Sequence, residues 1–261
     1  MNNLRATRQN QKGFTIIELM IAVSILSVIL LIGSVVLISV GKLYTKGVNS
    51  TNLQDATRNV LNDISSTLEF SGEQPFACLP TPTPYTCEAV NSGGSLGELA
   101  STHPDGTPMT IYAYCVGTTR YSYVMNTQSA ANPSGTQNYH VIWKDTMTSD
   151  ASCYPLDIKQ QNPTFVSGQP SVANSGKELA PLRSRLTRFY VEPQSTDGSQ
   201  FGVDVWMAYG EDDIVLVTGT GACSAGSGSS NCAGYSSCQG GQGQEYCANS
   251  KLSTTITRRL H

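Results

Sequence analysis

Few side chains in this 261-residue sequence are placed to do chemistry, and they fall into two sets. The first is a lone carboxylate. Glu18 stands near the start of an apolar run from Phe14 to Val40 and is the one charge within it. A carboxylate set in a hydrocarbon span costs about 2.5–3.5 kcal/mol, so an acid without a partner in its own helix marks a functional position. The second set is eight cysteines: Cys78, Cys87, Cys115, Cys153, Cys223, Cys232, Cys238 and Cys247. Their number is even, no two form a CxxC, and all lie beyond the apolar run, which suits disulfides made in an oxidising exterior. A metal site among the last four is the rival reading. Wide spacings, the lack of a nearby histidine and an export route argue against it.

Other chemistries find little support. Three histidines (His103, His140, His261) offer scant material for acid–base or metal work. No GxSxG, HExxH or GxxxxGK[ST] string occurs. Ser175-Gly176-Lys177 lacks the glycine framework of a phosphate loop, and Glu211-Asp212-Asp213 lacks the alternate spacing of an EF-hand loop. We therefore expect no enzyme activity, no cofactor and no metal. Two binding surfaces can still be drawn. Arg183, Arg185, Arg188, Arg258 and Arg259 would cluster if the last strand lay beside Arg185–Glu192; the alternative is arginines at a solvated sheet edge. Tyr112, Tyr114, Tyr121 and Tyr123 could form a stacking or glycan surface, although ordinary strand propensity explains them too.

The elements that must hold these residues begin with the apolar run. Leu19–Val40 is 22 residues without a charge, about 33 Å as a helix, which matches a bilayer core. Arg5, Arg8 and Lys12 precede it with no acid and predict a cytoplasmic N-terminus and a translocated body. One reading is a permanent anchor. A second is a secretory signal cut after Gly41, although the apolar segment is about twice the usual length. The third starts from Glu18. Helical spacing then continues through Leu53, Ala56, Val60, Ile64 and Leu68 with Leu61 beside them, so one helix of about 55 residues is expected from Phe14 to near Leu68. Gly33 and Gly41 are possible points of bending.

Pro75, Pro80, Pro82 and Pro84 predict an extended, partly polyproline-like loop with Cys78 and Cys87 at its ends. Met109–Val116 and Arg120–Asn126 read as a hairpin around Gly117-Thr118-Thr119, and Tyr139–Lys144 as a further strand. The stretches 126–139 and 146–176 read as polar connections. Phe201–Tyr209 alternates like a half-buried strand and pairs with Arg185–Glu192 through a turn holding Asp197-Gly198. Ile214–Thr218 and Lys251–Leu260 complete the strands. The fold class is α+β, a long N-terminal helix packed on an antiparallel sheet with a disulfide-rich loop insert. Residues 219–250 hold eight Gly, seven Ser, four Cys and no Val, Ile, Leu, Met, Phe or Trp. Such a segment must be tied down covalently. Cys78/Cys87, Cys223/Cys232 and Cys238/Cys247 share a nine-residue offset, which suggests local loops and leaves Cys115 with Cys153.

The string Lys12-Gly13-Phe14-Thr15-Ile16-Ile17-Glu18-Leu19 resembles the type IV prepilin signal, the class III signal peptide. The resemblance implies a leader of residues 1–13 cut by prepilin peptidase between Gly13 and Phe14, then N-methylation of Phe14. It implies that the Glu18 carboxylate neutralises the new amine of a neighbouring subunit and so fixes docking. The implied organisation is a membrane and filament-core helix over 14–41, an amphipathic continuation over 42–70 and an extracytoplasmic domain over 71–261. Beyond residue 40 the likeness to a minor pilin or J-type pseudopilin, and to the W-type subunits of type IV pili, rests on Leu53–Leu68, the strands around Arg185–Tyr209 and the end Tyr246–Leu260. It implies other pilins and the pilus assembly platform as partners. Localisation would be the inner membrane first and the extracellular pilus afterwards. Without Arg5, Arg8, Lys12 and Glu18 the chain carries 13 basic and 18 acidic residues, net −5, which argues against nucleic acid as a general partner.

Overall fold

The computed structural model describes residues 13–73, 75–79, 86–89, 97–102, 108–127, 140–147, 153, 155–159, 176–211, 214–218, 235–239 and 243–259. They form two compact units, Met1–Tyr44 and Thr45–His261. Helix α1 runs Ile16–Phe70, 55 residues, and continues unbroken through Gly33 and Gly41.

In the first unit every described residue is exposed. Its serines nevertheless each donate the hydroxyl to a carbonyl of their own helix. Ser24 donates to the Ile21 carbonyl, Ser27 to Ser24, Ser34 to Leu30 and Ser39 to Val35, at 2.7–2.9 Å. Such back-bonding satisfies polar side chains within their own helix, as apolar surroundings require. This stretch is long and apolar enough to cross a membrane.

In the second unit α1 buries Leu53, Thr57, Val60, Leu61, Ile64 and Leu68. The expected stripe is corrected at one step: Ala56 is half-buried and Thr57 takes the inward place. The 53–57–60–64–68 rhythm follows the helical period more closely, and the Thr57 hydroxyl is satisfied by the Leu53 carbonyl at 2.7 Å.

Among the described residues the strands make three antiparallel sheets rather than one. The largest holds β1 (Pro75–Leu79), β2 (Thr86–Ala89), β3 (Gly97–Thr102), β4 (Pro108–Val116), β5 (Thr119–Val124), β6 (Ile142–Thr146) and β7 (Lys177–Glu178), in the order β2-β1-β4-β5-β6-β7 with β3 also on β4. A second contains β8 (Ser184–Pro193), β9 (Gln200–Tyr209) and β12 (Ala248–Thr257), with β9 central; the third pairs β10 (Val215–Thr218) with β11 (Tyr235–Cys238). Asn126 donates its amide to the Leu186 carbonyl at 2.8 Å and so links the two larger sheets.

Several expectations change. The proline-rich stretch contains β1 and β2: Pro75 takes the first position of its strand, where no ladder donor is lost. Pro80, Pro82 and Pro84 lie outside the described residues. Strand β6 starts three residues later than expected and β12 three earlier. Thr119 belongs to β5, so the β4–β5 turn is Gly117-Thr118 alone. Gly117 has φ +56°, a conformation glycine takes without a Cβ penalty. The β8–β9 pairing matches the expectation, but a register shift falls between Leu186 and Arg188. That bulge lets Leu186, Phe189 and Val191 all enter the core; in an uninterrupted strand Leu186 and Phe189 would face opposite sides.

The main core joins the α1 stripe to Tyr112, Tyr114, Tyr121 and Tyr123 of the β4–β5 hairpin and to Phe189, Phe201, Val203, Val205 and Met207. The hairpin is buried on both faces. Its other side packs Ala113 and Cys115 on Met147 and Cys153, and Ile111 and Val124 on Leu156 and Ile158. Thus Met147, Cys153, Leu156 and Ile158, from a segment expected to be a polar connection, supply a second layer.

Candidate functional site

The site begins where α1 begins. Gly13, Phe14 and Thr15 precede the helix, and Phe14 is 88% exposed. The Glu18 carboxylate accepts the Thr15 amide and the Thr15 hydroxyl, both at 2.9 Å, while the Glu18 amide donates to the Thr15 hydroxyl oxygen at 3.3 Å. The Thr15 carbonyl accepts the Leu19 amide at 3.2 Å. Thr15 is therefore the N-cap and Glu18 the third helical residue of a capping box. Sequence reasoning overlooked this contact, although Thr-x-x-Glu before an apolar run is its signature. The geometry keeps the acid folded back over the segment that precedes the helix. An amine presented there would meet a carboxylate already oriented.

Residues 8–40 match the family model of the prokaryotic N-terminal methylation motif. The segment is thus type IV prepilin-like, and Gly13, Phe14 and Glu18 all fall inside the matched stretch. No curated protein and no solved structure matches the chain. A prepilin-like motif speaks for a structural subunit, anchored in a membrane and assembling with other pilins, rather than for an enzyme.

The second unit is fastened by covalent and ionic ties. Cys115 is joined to Cys153 (Cα–Cα 6.0 Å) and Cys238 to Cys247 (5.7 Å), two of the pairs suggested by the spacings. Cys78 and Cys87 stand directly opposite in the β1–β2 register. Cys223 and Cys232 lie outside the described residues. Beside the first bridge, Arg120 and Asp145 form a bidentate ion pair buried to 0% and 2% exposure. Asp63 of α1 meets Lys144 at 2.8 Å, Lys177 at 3.6 Å and the Tyr121 hydroxyl at 3.0 Å, a polar clamp between helix and sheet. Arg259 closes the end of α1 by pairing with Glu69 at 2.8 Å, a cation placed where the helix dipole favours one.

The two candidate binding surfaces dissolve in the structure. The four tyrosines are core residues, and burial pushes the phenols of Tyr114 and Tyr121 well above their ordinary range. The arginines form no basic patch. Arg185, Arg188 and Arg258 are buried, Arg188 pairs with Asp204 at 2.8 Å, and Arg183 with Glu211 at 3.8 Å. Strand β9 separates β12 from β8, so the end of the chain is not beside Arg185–Glu192. Asp212 and Asp213 lie outside the described residues, as does Ser175; Lys177 serves the Asp63 clamp.

Proposed function

We propose that this chain is a minor pilin, a low-copy subunit of a type IV pilus that works in the initiating or tip complex. The methylation-motif match over 8–40 carries the reading. On this reading prepilin peptidase cuts between Gly13 and Phe14, Phe14 is N-methylated, and the body beyond residue 41 stands outside the inner membrane. Assembly draws the apolar part of α1 from lipid into contact with other pilin helices, an exchange of environments of similar polarity. The back-bonded serines support it, because they leave no unpaired hydroxyl in either setting. Glu18 pairs with the terminal amine of a neighbour. A buried charge pair is tolerable where a single buried charge is expensive, and the match of charges sets one axial stagger.

The long loop-rich body, larger than a shaft subunit needs, favours a low-copy position. A pseudopilin of type II secretion would share the N-terminal chemistry, and fractionation separates the two. Tagged full-length protein expressed in its native cells should appear in sheared pili, far below the abundance of the main subunit. Recovery with a secretion assembly instead would replace pilin by pseudopilin. Retention in the membrane, with neither filament present, would contradict both.

A further inference from the structure

Beside the β9–β10 turn the extracytoplasmic unit has a concave pocket of about 350 Å³ that the filament reading does not use. It is bounded by Tyr209, Ile214 and Tyr246, with Arg183 and Glu211 at one side. A volume near the lower end for small-molecule sites suits one ring rather than a chain. Tyr246, the last residue of a 3-10 turn over Gln244–Tyr246, is 56% exposed. It directly precedes Cys247, which is bridged to Cys238, and Asn49 of α1 donates to the adjoining Glu245 carbonyl at 3.3 Å. The wall that carries the ring is therefore fixed in advance, which lowers the ordering cost of binding.

Arg183 supplies the second observation. It has φ +63°, left-handed backbone that glycine or asparagine would adopt more cheaply, in the turn that leads into β8. Strain of this kind persists where the side chain is needed. That side chain is 67% exposed and faces Glu211 at 3.8 Å, an ion pair longer than a hydrogen bond. An aromatic face beside a guanidinium and a carboxylate matches a pyranose ring: apolar C–H edges lie on the tyrosine, and vicinal hydroxyls donate to the acid and accept from the arginine.

We propose that this pocket binds a single pyranose residue of a saccharide, with Tyr246 as the platform and Arg183 and Glu211 as the hydroxyl-reading pair. The proposal does not depend on filament assembly. It is tested on the full chain in a sugar-free zwitterionic detergent by saturation-transfer NMR. The probes are methyl α-D-glucopyranoside, methyl α-D-galactopyranoside, methyl α-D-mannopyranoside and N-acetylglucosamine. At least one should show saturable transfer, weakened roughly tenfold or more by Tyr246→Ala and by Arg183→Gly. Arg183→Gly should keep or raise the Tm, because it relieves the left-handed strain while removing the guanidinium; loss of binding is then not loss of fold. No saturable transfer from any of the four probes, or transfer that Arg183→Gly leaves unchanged, overturns the proposal.

Discussion

Glu18 has two contacts to answer for, and they can be separated. Within its own chain it closes a capping box with Thr15 at 2.9 Å; in the proposed filament it neutralises a neighbour's amine. Losing a cap costs about 0.5–2 kcal/mol. Removing one partner of a buried ion pair costs about 3–5 kcal/mol, roughly two to more than three orders of magnitude in an assembly equilibrium. Glu18→Gln is the discriminating substitution. The glutamine carbonyl still accepts from Thr15, since Gln serves a capping box as Glu does, but it carries no charge. Thr15→Val does the converse, removing the hydroxyl and keeping the carboxylate. The assay is the share of subunit in sheared filaments against membranes, with leader cleavage read on the same gel. Glu18→Gln and Glu18→Ala should be cleaved normally and fall out of filaments together, while Thr15→Val loses at most a modest fraction. If Glu18→Gln assembles like the wild type and Thr15→Val does not, the acid is a helix cap and the docking argument fails.

Three further outcomes follow from the body. Asp145→Leu strands the buried Arg120 and should cost about 3–5 kcal/mol, a Tm drop of roughly 6–20 °C; the double variant Arg120→Met with Asp145→Leu should recover most of it in thermal unfolding followed by near-UV circular dichroism. Cys153→Ser opens a loop whose ends are 38 residues apart and should lower stability by about 4 kcal/mol, against about 2.5 for Cys247→Ser, whose loop spans nine; equal losses would count against the chain-entropy account. Hydrogen bonds from Ser195 and Ser199 hold the Asp197 carboxyl down at about 2. Its ordinary value is higher, so the turn gains from the charged form above that value and loses it as pH falls through about 2. The Ser199 amide shift should titrate there, and Asp197→Ala should abolish the titration.

Much of the fold was legible because the signals were local. An uninterrupted apolar run and the 53–60–64–68 spacing describe α1, Gly117 marks one hairpin, and Asp197-Gly198 marks the other. What stayed hidden depends on partners distant in sequence. Leu156 and Ile158 look isolated in a polar stretch, yet beside the Cys115–Cys153 bridge they pack on Ile111 and Val124 of β4–β5. Tyr114 and Tyr121 look like surface aromatics until the hairpin proves to be covered on both sides. Strand β11, Tyr-Ser-Ser-Cys, carries no periodic signal and is specified by its pairing with β10. At the candidate site the acid was visible from its charge alone. Its cap is a local signal too, since Thr15 stands three residues before Glu18 at the start of the apolar run.

On the proposed reading residues 1–13 are a leader and Phe14 becomes the first residue of a working subunit. The most direct measurement is the N-terminal residue and intact mass of the protein recovered from its native cells. A chain that starts at N-methylated Phe14 is the predicted result. A chain that still starts at Met1 would contradict it, reducing α1 to a plain membrane anchor and Glu18 to the cap of its own helix.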